Sequence, residues 1–197
     1  MTTVSPRRPS SRPRPESPLM SATDSLLVVI DLQARLMPAI NGGPEALAAA
    51  GRLIDGARAL GVPVIATEQY PQGLGATIDV IAGRLLPGET LPKITFSAWN
   101  ETAFRDRVIA SGRRRLVVCG TEAHVCVLQT ALDAARSGLQ LAVVADAVAS
   151  RAPANHALAL SRMASHGVEI VSTEMVLFEW LEHAGDDRFK AVLPLIR

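Results

Sequence analysis

The chain has 197 residues, enough for one hydrophobic core and short of two ordinary domains. Apolar residues make up 48% of it, which excludes wholesale disorder, and only 4% is aromatic, so the core draws mainly on Ala, Val, Leu and Ile. The formal net charge is +1, yet Arg7, Arg8, Arg12 and Arg14 against Glu16 put +3 in the first twenty residues and leave −2 for the rest. That remainder has no general electrostatic reason to seek nucleic acid or an anionic membrane.

The stretch from Met1 to Asp24 carries five of the thirteen prolines, mixed with Ser and Arg. Such a segment buries too little surface to offset its ordering entropy, so residues 1–24 are expected to be a flexible extension and 25–197 the folded domain. No apolar run approaches the roughly 20 residues that span a bilayer, and none follows the early arginines as in a secretory signal. Cys119 and Cys126 sit seven apart and are read as free thiols of a cytoplasmic protein.

From Ser25 the pattern changes. Leu26 to Ile30 is a continuous apolar run ending in Asp31, as expected of a strand buried on both faces. Leu47, Ala50, Ile54 and Ala57 then recur at helical spacing, with Pro44 placed to start the helix and Gly61 to stop it. Further strands are expected at Val62 to Thr67, a short one near Leu91 to Ile94, and at Arg115 to Cys119, Leu139 to Ala145 and Glu169 to Ser172. Between them, Phe104 and Val108 mark one helix, Val125, Leu128, Leu132 and Ala135 another, and Ala154 to His166 a third. After Thr173 the pattern allows a helix over Met175 to Ala184 and an apolar tail, Phe189 to Ile196, that packs on the core or on a partner chain. Strands alternating with helices predict an α/β three-layer sandwich around a central, mostly parallel six-stranded sheet.

An open parallel sheet places reactive groups at the carboxyl ends of its strands. Three residues meet that condition: Asp31 after the first strand, Lys93 at the short one, and Cys126 just past the strand ending at Cys119, near the start of a helix. Unpaired N–H groups at a helix start and a neighbouring lysine both favour thiolate over thiol. Asp31 would then take the thiol proton or activate water. Each residue also has a plain reading: Cys126 as a small buried hydrophobe, Asp31 as a cap, Lys93 as a surface ion-pair partner. The four histidines are widely separated, without a ligand spacing such as H-E-x-x-H, so no metal and no cofactor is expected. His124, two residues before Cys126, does not face it on a helix. Gly73 and Gly75 lack the other elements of a phosphate loop.

Five segments in order resemble the isochorismatase-like cysteine hydrolases: Leu27 to Gln33, Thr67 to Gly75, Pro92 to Ser97, Cys119 to Val127, and Val144 to Ala147 with Ser150-Arg151. The second is similar to a loop of the isochorismatase-domain-containing branch. The resemblance implies a metal-independent amidohydrolase acting on a small amide or related acyl compound. It implies Asp31 as base, Lys93 as charge partner and Cys126 as nucleophile, working through a thioester. It further implies a cis peptide between Thr121 and Glu122, with the N–H groups of Glu122 and Cys126 forming an oxyanion hole. Gln33, Tyr70, Phe96 and Trp99 are the expected substrate pocket. A vinyl-ether-cleaving isochorismatase is disfavoured by the cysteine, and a nicotinamidase by the lack of any histidine between Asp31 and Lys93. A redox or noncatalytic small-molecule-binding homologue is the rival class, although no C-x-x-C pair is present. The resemblance, with the apolar Val192, Leu193, Leu195 and Ile196, leads to an expected homo-oligomer, at least a dimer.

Overall fold

The computed structural model describes residues 17–196. Six strands form one sheet in the order β3-β2-β1-β4-β5-β6, and every neighbouring pair is parallel. They are β1 (Ser25–Ile30), β2 (Val64–Gln69), β3 (Thr90–Lys93), β4 (Arg115–Thr121), β5 (Gln140–Ala149) and β6 (Glu169–Val171). The helices are α1 (Gly43–Leu60), α2 (Pro71–Leu74), α3 (Asp79–Ala82), α4 (Thr102–Ala110), α5 (Leu128–Arg136), α6 (Pro153–Ser165), α7 (Thr173–Leu181) and α8 (Phe189–Val192).

Alternation along the central strands divides the interior into two layers. Leu27 and Val29 of β1 and Val117 and Cys119 of β4 face a core closed by α1, α7 and α8. Leu26, Val28, Ile30, Leu116 and Val118 face the other, closed by Phe104 and Val108 of α4, Ala131 and Ala134 of α5, and Ala159 and Met163 of α6. All residues of β1 and β4 are buried, as continuous apolar strands require. The arrangement is a three-layer α/β sandwich.

The strand order turns back between β1 and β4, because β2 and β3 follow β1 on one side and β4 opens the other. At such a switch point the loops leave in opposite directions and open a crevice at the carboxyl ends. Gly120 lies against it. Its φ is +117°, and a Cβ there would stand 2.0 Å from the carbonyl oxygen of Ile30. Only glycine lets β4 lie this close to β1.

Of the expected extension, residues 1–16 lie outside the described residues, whereas Ser17 to Asp24 runs against the domain. Met20 and Ala22 are buried, the Met20 N–H donates to Glu179 Oε2 at 2.7 Å, and Asp24 O accepts from Arg115 N at 3.1 Å. A composition average over 24 residues conceals two apolar side chains that the core accepts. The apolar tail packs on its own chain: Val192 is fully buried, and Leu195 and Ile196 cover the α1 core. Leu193, Leu195 and Ile196 each keep part of their surface exposed.

Candidate active site

The three expected strand-end residues meet at the switch point. Asp31, immediately after β1, has a φ of +50°, a left-handed conformation that aspartate tolerates better than most residues. Neighbours on both sides hold it there: its N–H donates to Thr67 O at 3.1 Å, and its carbonyl accepts from Thr121 Oγ1 at 2.9 Å. Thr67 Oγ1 donates to Asp31 Oδ1 at 2.7 Å. The other oxygen, Oδ2, lies 2.8 Å from Lys93 Nζ as an ion pair, without the alignment of a hydrogen bond. Both side chains are almost wholly buried. Charges so placed persist only when paired and hydrogen-bonded.

Lys93 ends β3. Its ammonium donates to Gln69 Oε1 at 2.6 Å and, over longer distances, to the carbonyls of Thr95 at 3.4 Å and Phe96 at 3.3 Å. Cys126 lies in a single π turn, Ala123–Val127, that joins β4 to α5, and the charges of both Asp31 and Lys93 act on its thiol. Burial, reinforced by the charge of Asp31, pushes this thiol up to about 12, while Lys93 acts in the opposite direction. The resting sulfur is therefore a thiol. A carboxylate beside a thiol is a group that can accept its proton. Cys119 is also pushed up to about 12, by burial first and then by Asp146, but it points into the α1 layer.

The peptide bond between Thr121 and Glu122 is cis. The carboxylate of Glu122 turns toward the loop after β5, where it meets Arg151 Nε at 2.7 Å and accepts from Arg151 N at 3.2 Å. His124 Nδ1 engages Ser150 Oγ at 3.0 Å and lies 3.6 Å from Glu122. A cleft of about 690 Å³ between α5 and α6 includes His124, Leu132, Arg136 and Arg162 in its lining, but not Asp31, Lys93 or Cys126.

The four expected pocket residues differ in exposure. Tyr70 and Phe96 are exposed, on the loops after β2 and β3. Trp99 is half-buried and packs against the α4–α6 core. Gln33 is fully buried, its amide donating to Gln69 O at 3.0 Å and Gly75 O at 2.6 Å and accepting from Gln69 N at 2.8 Å. Those bonds make it a brace for the loop after β2. Sequence reasoning missed Thr67 and Gln69, which bond directly to Asp31 and Lys93; their only signal was their place at the carboxyl end of a strand. Among the described residues, no three His, Cys, Asp or Glu side chains gather in a way that could hold a metal ion, and no helix is long and apolar enough to cross a membrane.

An all-parallel α/β sheet whose switch point brings together a cysteine, an aspartate and a lysine defines a narrow class. The family model of the isochorismatase domain matches residues 25–175, and the chain belongs to that family. It is 35% identical to isochorismatase domain-containing protein 1 of Danio rerio, over 90% of this chain and 62% of that protein. The chain thus spans about three fifths of that relative. It is 33% identical to isochorismatase domain-containing protein 2 of the same organism, covering 90% of this chain and 89% of the other. Among solved structures, one described as the MAR1 ribonuclease of Caenorhabditis elegans superposes with a TM-score of 0.85 at 35% identity, covering 90% of this chain and 92% of that one. A protein of Escherichia coli described as an octameric hydrolase of unknown specificity shares the fold at 22% identity and a TM-score of 0.82, covering 91% and 90% of the two chains.

Proposed function

We propose that this protein is a cysteine hydrolase of small amides or related acyl compounds. The observation that carries the reading is the buried Asp31–Lys93 pair at the switch point of the sheet, whose charges act on the Cys126 thiol. Asp31 takes the thiol proton as sulfur attacks the substrate carbonyl, and Lys93 offsets the negative charge that develops. The N–H groups of Glu122 and Cys126 receive the oxyanion. Collapse expels the amine, which leaves with the proton held by Asp31, and a thioester remains on Cys126. Asp31 then accepts a proton from water, hydroxide adds to the thioester, and the acid leaves as the thiol is restored.

The high resting pKa of Cys126 favours one second reading, a homologue that binds a small molecule at this site without turning it over. RNA cleavage, as the name of the C. elegans protein has it, finds no support in the charges of the described residues. The run Arg113-Arg114-Arg115 lies at the amino edge of the sheet, opposite Cys126, and is bonded to Ala22, Asp24 and Glu169. Intact-protein mass spectrometry during exposure to a mixed amide library separates the readings. An acyl adduct on Cys126 that decays with release of acid is expected. Binding without an adduct supports the noncatalytic homologue, and product formation with no adduct sinks the thioester.

A further inference from the structure

The loop that follows Lys93 has no regular structure, and Ile94, Thr95 and Phe96 are all exposed. Its backbone is nonetheless pinned on two sides. Inward, the carbonyls of Thr95 and Phe96 face the Lys93 ammonium, and the carbonyl of Ile94 accepts from Gln69 Nε2 at 2.7 Å. Outward, one oxygen, Glu101 Oε1, accepts from Ile94 N, Thr95 N and Thr95 Oγ1, each at 2.9 Å. The Thr95 hydroxyl has a second acceptor in Ser97 O at 2.8 Å, so its single hydrogen is shared between the two.

Glu101 is the residue that caps α4, yet its side chain makes no capping bond to that helix. A carboxylate at this position ordinarily accepts from the first-turn N–H groups of its own helix. Here it turns to the loop. The backbone N–H groups of Thr95 and Ile94 hold its carboxyl below the usual range, with a smaller contribution from Lys93, so it is ionised at neutral pH. Three donors on one anionic oxygen form a strong local anchor.

We infer that Glu101 is a positioning residue for Lys93, fixing the 94–96 loop so that its carbonyls and Gln69 aim the ammonium at Cys126. The inference rests on the cysteine-hydrolase reading and adds a residue to it. Glu101 acts through the loop and touches no reacting atom.

The test uses iodoacetamide, with alkylation of Cys126 followed by mass spectrometry against pH in the full chain. The charged groups acting on this thiol are Asp31 and Lys93, and Lys93 is the one that lowers it. If Glu101→Ala lets the ammonium drift, the profile moves to higher pH, and the rate at pH 7.5 falls about tenfold for each unit that the thiol rises. Simple removal of a negative charge would move the profile the other way, so direction separates positioning from electrostatics. Glu101→Gln keeps an acceptor oxygen and should fall between wild type and Glu101→Ala; it also carries the comparison if the alanine variant does not fold.

Lys93→Met serves as the reference. If it shifts the profile upward while Glu101→Ala or Glu101→Gln leaves it in place, the inference is overturned and the hydrolase reading stands. A lower unfolding temperature without a shifted profile likewise reduces Glu101 to a structural role and overturns the inference. If Lys93→Met shifts nothing, the hydrolase reading fails and the inference falls with it.

Discussion

The two edges of the sheet hold similar charged residues in opposite settings. At the amino edge, Arg114 and Asp24 pair at 3.1 Å with side chains 60% and 28% exposed, and Arg113 and Arg115 tie down Ser17 to Asp24. At the carboxyl edge, Lys93 and Asp31 pair at 2.8 Å with side chains 1% and 0% exposed. Water screens the first pair and leaves it little energy to contribute. The second pair is desolvated, so its charges act strongly on whatever stands beside them, and Cys126 stands there. Burial, more than residue type, separates a surface staple from an ion pair that acts on its neighbours.

The largest effects should come from breaking the carboxyl edge. Cys126→Ser is expected to lower turnover of any amide found for this protein by several orders of magnitude, because Asp31 and Lys93 sit around a thiol rather than an alcohol. Normal turnover by the serine variant in a steady-state assay would place the nucleophile elsewhere. Asp31→Asn should abolish turnover and also strand the Lys93 charge, at a cost of about 3–5 kcal/mol in urea unfolding. A variant as stable as wild type would mean that water reaches Lys93.

Gly120→Ala probes the closeness of β1 and β4 without touching a charge. The added Cβ meets the Ile30 carbonyl, and the φ of +117° is unfavourable for alanine. The expected loss is more than about 3 kcal/mol, since strained backbone alone accounts for roughly 1–3 kcal/mol. Differential scanning calorimetry would register it; a loss under about 1 kcal/mol would contradict so close a contact between β4 and β1.

The buried thiols give a smaller, pH-dependent effect. Cys119 has a folded pKa of about 12 against an ordinary value of 9.0, so the native state keeps this proton after the unfolded chain has lost it. Its contribution is therefore constant below about pH 9 and decreases as pH rises toward 12, by roughly 1.4 kcal/mol between pH 7 and 10. Cys119→Ala should remove that part of the alkaline decline in urea titrations at the two pH values. An unchanged decline would show that the thiol is not as dry as its position in β4 implies. At the bottom of the scale, Arg114→Met should change stability by less than about 1 kcal/mol and leave iodoacetamide labelling of Cys126 unaltered.

Much of this was legible in the residues. The strand at Leu26 to Ile30 announced itself because a stretch buried on both faces has nowhere to place a polar side chain, and Asp31 stood out as the first one after it. The tail from Phe189 left two answers open because hydrophobicity does not say which surface will cover it. The sequence pattern also drew the helix through Val125, whereas the chain makes a π turn from Ala123 to Val127 before α5 begins. An extra residue in a helical turn leaves the apolar spacing nearly unchanged.

By itself the sequence determined which residues alternate, where strands end, and which polar groups lie at those ends, since these follow from local spacing and from the aversion of apolar surface to water. Only the tertiary structure decided their partners. Thr67, Gln69 and Glu101 look like ordinary polar residues in the chain, and Gln33 looks like a contact residue; the register of β2 against β1 and β3 turns the first two toward Asp31 and Lys93 and commits the amide of Gln33 to the backbone. Hydrogen bonds require directions and distances within a few tenths of an ångström, and those are set by packing between segments far apart in sequence.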